Sequence, residues 1–278
     1  MRRIAFTLAA VFLTVSAVTF QAQEPQPATP LSIPAASRSQ AYCTGFISEN
    51  PIPRDLFVTG GGDDDFHSVA RQFVQGESVF ISPNGSGDLA IGAEYDVVRS
   101  ANKLFETAHY SGQGSDIRRL GRPYEDVAEV RVTHVTPQGA VAKVTFSCSA
   151  IAPGDILVPF QPRVIPEYTV SAPLDHFAPL DESKHHGRIV GTHNNFGFFG
   201  RQTAVYLDLG DADGAQPGKR FRIYKILPPA VTGVAERRPT PPETIGEVVV
   251  LSVHSRSSVA MVVASYREIA AGDYVEEE

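Results

Sequence analysis

Four histidines, His176, His185, His186 and His193, gather in one stretch of the chain, and imidazole nitrogen is a common zinc ligand. A tetrahedral site needs three or four such ligands within reach of one ion. The spacing does not supply them. No H-E-x-x-H helix and no C-x-x-C accompanies the cluster, and adjacent His185 and His186 on an extended segment point to opposite faces. They read as linker histidines exposed to solvent. Asp208, Asp211 and Asp213, followed by Gly214, resemble the clustered oxygen ligands of a calcium loop, but no glutamate stands at the twelfth position and a hairpin turn accounts for them. Asp63-Asp64-Asp65 with His67 is a second acidic group, and like charge in a loop reads as a solvated face.

Phosphate and acyl chemistry are equally poorly supplied. Gly218-Lys219, preceded by Gly210 and Gly214, invites comparison with a phosphate loop, but the spacing is wrong and no Ser or Thr follows Lys219. Gly85-Ser86-Gly87 and Gly112-Gln113-Gly114-Ser115 lack the strand-to-helix setting of a nucleophile elbow. The reading is a non-enzyme, with no catalytic residue, no cofactor and no metal.

The elements that carry these residues repeat. At an offset of 126, Val79-Phe80-Ile81 falls on Val205-Tyr206-Leu207, and Gly92 to Arg99 falls on Gly218 to Lys225. At an offset of 118, Glu129-Val130-Arg131-Val132 matches Glu247-Val248-Val249-Val250, Val141 to Val144 matches Val259 to Val262, and Ile151-Ala152-Pro153-Gly154-Asp155 matches Ile269-Ala270-Ala271-Gly272-Asp273. Self-similarity of this kind marks a duplicated module. Within each copy, β-branched and aromatic residues alternate with polar ones between turns rich in Gly, Pro, Asn and Asp. Val130 with Val132, and Val248 with Val250, share one face at period two. The expected fold is all-β: two tandem small antiparallel barrel-like domains, since closure removes exposed sheet edges.

The domains expected are 40–160 and 186–278, joined by an extended Pro-rich linker over 161–185. Asp63 to Phe73 and Ala101 to His109 could each form a helical turn or two as insertions. The repeat also acts as an internal control, because Gly92-Ala93-Glu94 stands where Gly218-Lys219-Arg220 does. A turn serves both. Likewise Glu129 and Glu247 recur at the same strand start, which points to structure.

Before the first copy, Met1-Arg2-Arg3 and the apolar run Ile4 to Val18 form the two leading regions of a secretory signal peptide. Residues 1–22 are the expected leader, cleaved between Ala17 and Gln23, and 23–39 a disordered Pro/Ala-rich tether. The run is short for a membrane span, so no transmembrane segment is expected after processing. The net charge of −7 becomes more negative once Arg2 and Arg3 leave, which disfavours nucleic acid as a partner. Cys43 and Cys148 would then face an oxidising compartment and read as one disulfide. A bridge closing so long a loop contributes on the order of 4 kcal/mol.

Three features belong to one copy: the cysteines, the insertion from Ser100 to Tyr124, and the stretch Asn194-Asn195-Phe196-Gly197-Phe198-Phe199-Gly200. Phe196, Phe198 and Phe199 are apolar on a glycine-flexible backbone, a combination suited to docking a partner.

Gly218 to Lys225, Ile245 to Val250 and Ile269 to Val275 resemble the C-terminal β domain of the flagellar assembly protein T family. The start of the first copy, Tyr42 to Ile47, resembles uncharacterised exported, LysM-associated proteins of Acidobacteria that share both copies. The resemblance implies an exported periplasmic or envelope-associated structural module that docks on another envelope protein or on the cell wall. The likeness stops at this domain and no LysM segment is recognised, so neither a motor role nor glycan binding is carried over. The function expected is a structural or protein-interaction module of the envelope, with peptidoglycan or glycan binding as the alternative.

Overall fold

Short strands of alternating character cannot bury an apolar face alone, and here they close on themselves twice. A computed structural model of the chain describes residues 31–62, 72–83, 89–101, 105–169, 175–226 and 240–278. The leader, Asp63-Asp64-Asp65 with His67, and Gly85-Ser86-Gly87 lie outside these residues. In chain order the described part begins with β1 (Ser32–Pro34), α1 (Arg38–Tyr42) and β2 (Phe46–Ser48). The first barrel follows as β3 (Leu56–Gly62), β4 (Ser78–Pro83), β5 (Glu94–Ser100), then α2 (Gln113–Leu120), β6 (Arg122–Thr136), β7 (Gly139–Ser147) and β8 (Ile156–Pro159).

After β9 (Glu167–Thr169) the second barrel runs β10 (His186–Thr192), β11 (Phe198–Phe199), β12 (Ala204–Leu207), β13 (Arg220–Lys225), β14 (Glu243–Val253), β15 (Ser258–Ser265), β16 (Ile269–Ala270) and β17 (Tyr274–Glu277). The second ring is β10-β12-β15-β14-β13-β17. The first is its counterpart, β3-β4-β7-β6-β5-β8, with β2 added along β6. All these pairings are antiparallel. The expected fold, two tandem antiparallel barrels from one duplication, is the one observed.

The copies agree down to their irregularities. The register break between Val58 and Gly60 recurs between Ile189 and Gly191. Those at Glu129/Val130 and Val132/His134 recur at Glu247/Val248 and Val250/Ser252, and Val97/Val98 recurs at Ile223/Tyr224. Bulges bend and twist strands, which lets so small a sheet close. The Gly-Asp turn repeats too. Gly154 and Gly272 have φ of +98° and +99°, and Asp155 and Asp273 each accept the backbone N–H three residues earlier, at 2.8 and 2.7 Å. Each interior is a separate apolar core, one around Val58, Phe73 and Val130, the other around Ile189, Phe221 and Val248.

The two barrels are packed, not strung, and Leu31–Glu278 form one unit. Ala35, Ala36, Ala41 and Tyr42 pack on Val249, Leu251, Met261 and Val263, which face outward from the second barrel. The tether expected through residue 39 therefore gives way to structure from residue 32. β1 pairs with β9, and Ser37 with Gln40 forms a capping box that starts α1. The cause lies in β14 and β15, which are apolar on both faces and need cover outside as well as in.

The described parts of the Pro-rich stretch, 161–169 and 175–185, are likewise tied to the barrels. Arg163 forms a two-point pair with Asp126 at 2.9 and 2.6 Å, while the carbonyls of Ala178 and Pro179 accept from Arg222 at 3.1 and 2.7 Å. Proline loses its N–H but keeps its carbonyl, so such a segment can still be tied down from one side.

The insertion's helix also lies later than expected. Phe105 to His109 form turns and bends, and the helix is Gln113–Leu120, whose Gln113, Ile117 and Leu120 are buried. Gly112, at φ +94°, sets its start. Ile117 and Leu120 join Ile47, Val190, Tyr206 and Val259 in an apolar wedge between the barrels.

Candidate functional site

Two of the features found in one copy only, the insertion and the Phe-Gly stretch, touch each other. The stretch lies inside the second barrel, between β10 and β12. β11 pairs with β16, setting Phe199 opposite Ile269. In the first barrel Phe73 is bridged to Ile151 by mutual backbone hydrogen bonds of 2.9 and 2.8 Å. Phe73 and Phe199 are therefore equivalent, and Phe199 leans on the second core as Phe73 fills the first. Phe196 and Phe198 are different: 53% and 65% exposed, they project outward.

The loop that carries them is held on three sides. The Phe196 N–H donates to Thr192 Oγ1 at 2.7 Å. From the insertion, the Thr107 carbonyl accepts from Asn195 Nδ2 at 3.1 Å, and His109 Nε2 meets the Asn195 carbonyl at 2.7 Å. Gly197 gives the His109 ring room, since a Cβ there would sit 2.7 Å from Nδ1 and the ring would have to shift.

Beside Phe196 opens a groove of about 390 Å³, walled by Gln40, Cys43 and Thr44 on one side and His193, Asn194 and Gln202 on the other. The disulfide between Cys43 and Cys148, with Cα atoms 5.4 Å apart, holds that first wall to the end of the first barrel.

Two signs of functional strain converge here. Asn195 and Gln202, with φ of 51° and 63°, are the positive-φ non-glycine residues among those described. His193 Nδ1 and Asn195 Oδ1 are buried polar atoms without a hydrogen-bond partner among the described residues. Strained backbone and unmet polar atoms concentrate where a surface awaits a partner.

The other residues considered for chemistry are occupied otherwise. His176, exposed as expected of a linker histidine, is nonetheless anchored: its Nδ1 lies 3.1 Å from the Thr244 carbonyl and its ring is edge-on to Tyr266. His185 pairs with Glu277 at 2.6 Å, and His186 Nε2 lies 2.9 Å from the Asp181 carbonyl. Asp208 accepts from the Arg188 N–H at 2.6 Å, and Asp213 closes a 3₁₀ turn over Asp211–Asp213 by accepting from the Gly210 N–H at 2.9 Å.

Gly218 has φ +87° where Gly92 has +86°, while Lys219 donates to the Gly214 carbonyl at 3.0 Å and pairs with Glu277 at 2.7 Å. Glu129 meets Arg38 at 2.8 Å, and Glu247 meets Arg220 at 2.5 Å. Gln113 donates to the Val190 carbonyl at 2.9 Å, from inside the wedge. Among the described residues no group of three His, Cys, Asp or Glu stands ready to hold an ion, and no helix is long and apolar enough to cross a membrane.

No protein-family model matches the chain, and no curated protein is significantly similar to it. The site therefore rests on its geometry. The sequence points to Phe196, Phe198 and Phe199 and to the stretch that holds Asn195, but not to Thr107 and His109, which brace it. His109 and Asn195 are far apart in the chain, whereas Gln202 carried a usable signal: it occupies the place of Gly76.

Proposed function

We propose that this is a non-enzymatic, exported envelope module whose Phe196–Phe198 loop docks another envelope protein. The carrying observation is the pair of exposed phenylalanines on a loop that the insertion, β16 and Thr192 hold in one conformation. A braced loop loses little entropy on binding, and aromatic side chains, phenylalanine among them, are enriched at interface cores. The leader-like residues Met1 to Val18 and the Cys43–Cys148 bridge support export to an oxidising compartment.

The test is recovery from an envelope extract on immobilised mature protein, beside a Phe196→Ser, Phe198→Ser double variant. A protein captured by the first and not the second supports the reading. Equal capture by both, or pelleting with purified sacculi alone, overturns it.

A further inference from the structure

The internal repeat exposes a half-made ion pair. In the second barrel Arg222 on β13 pairs with Glu276 on β17, both buried. The equivalent positions in the first barrel, at the two offsets of the repeat, are Asp96 and Val158, which also face each other across β5 and β8. Asp96 is buried yet forms no ion pair among the described residues. It accepts a backbone hydrogen bond from Gln161. Where one copy completes its charge pair within the fold, the other leaves a carboxylate whose neighbouring cation, Arg163, is committed to a two-point pair with Asp126.

That carboxylate lines a cleft of about 370 Å³ between the barrels. Val98, Val158, Pro159 and Val253 give it apolar walls, and Phe46 and His254 close one side with their rings stacked at 4.9 Å. His254 is held neutral because burial pushes its pKa down, and neither ring nitrogen has a hydrogen-bond partner among the described residues. It offers an acceptor. Arg163 also lines the cleft, but its guanidinium is held in a two-point pair by Asp126 behind the wall. With Arg163 and Asp126 cancelling and His254 uncharged, the cleft carries one net negative charge, on Asp96.

The geometry points to a small organic cation as the ligand of this cleft, an ammonium or guanidinium group set against Asp96 and His254 with a short apolar body between the barrels. A neutral ligand would leave the buried carboxylate uncompensated, and an anion would add to it. The volume falls within the ordinary range of small-molecule sites. This site is independent of the Phe196–Phe198 surface proposed above.

The test is a titration of the mature chain with n-propylammonium, n-propanol and propionate in turn, followed by NMR shifts of the His254 ring and the Asp96 and Gln161 amides. Saturable shifts with the ammonium alone are expected. Asp96→Asn, which keeps the shape, should weaken them at least about tenfold. Affinity should also fall as the pH drops below about 6, as Asp96 takes up a proton in the presence of Asp126, Glu129 and Arg163, while burial delays protonation of His254 relative to a free imidazole. A second variant, Asp96→Arg with Val158→Glu, rebuilds the pair of the second barrel and should abolish binding in a folded protein. Equal shifts with n-propanol, binding of propionate, no shift with any probe, or undiminished binding by Asp96→Asn would each overturn the assignment.

Discussion

Gly76 and Gln202 stand at the same place in the two barrels, each in left-handed backbone with φ of 93° and 63°. The N–H of Gly76 donates to Val144 at 3.0 Å, and that of Gln202 to Val262 at 2.8 Å. A side chain in this region costs about 1–2 kcal/mol, while glycine loses more entropy on folding. Gln202→Gly should therefore raise stability by about 0.5–1 kcal/mol, read from urea unfolding. The partner's retention on Gln202→Gly would be reduced if the glutamine is kept for binding.

The four phenylalanines should separate cleanly. Phe73→Ala empties a fully buried site and should cost about 3–5 kcal/mol, with Phe199→Ala costing less because it is partly exposed. Phe196→Ser and Phe198→Ser should stay within about 0.5 kcal/mol of the parent, as surface changes do. Denaturant melts of the four variants check the division. A large loss for Phe198→Ser would place it in the core.

Arg222 and Glu276 form a buried pair further tied by the Ala178 and Pro179 carbonyls. Removing one partner strands the other charge, so Arg222→Ala should cost about 3–5 kcal/mol, whereas a double replacement by Met and Leu should cost far less. A double-mutant cycle on the two positions measures the difference.

Asp96 gives a pH signature. Burial first, then Asp126 and Glu129, push its pKa from 3.8 to about 6, with Arg163 opposing. The folded chain thus holds this proton more tightly than the unfolded one. The stabilisation is complete below about pH 3.8 and is lost as pH rises through about 6. Asp96→Asn should be more stable than the parent at pH 7, with the advantage shrinking by pH 4. Unfolding free energies measured at both pH values decide it, and a constant difference would contradict the burial of the carboxylate.

The turns were legible because their chemistry is local: Gly154-Asp155 and Gly272-Asp273 show their role twice in the sequence. The closing strand pairs followed from the repeat. Less visible was what covers β14 and β15. Val248-Val249-Val250-Leu251 and Ala260-Met261-Val262-Val263 are continuous apolar runs, the mark of strands buried on both faces, but reading Val248 and Val250 at period two missed their neighbours. The capping box Ser37-x-x-Gln40 announced α1 and was hidden by surrounding prolines and alanines. The cleft was beyond reach, since Asp96, Arg163 and His254 meet only through the packing of two barrels.

The staple at Cys43 and Cys148 has a mechanical consequence. It spans 105 residues of chain, including β3 to β7. Tension applied between residue 31 and the C-terminus passes through the sulfur bridge and leaves those strands unloaded. At about 3.3–3.6 Å per extended residue, the bridge withholds roughly 350 Å of slack that the reduced chain would release. A chain pulled between two anchors would then yield first outside the bridge, in the second barrel, the Pro-rich stretch and β8, while β3 to β7 carry no load.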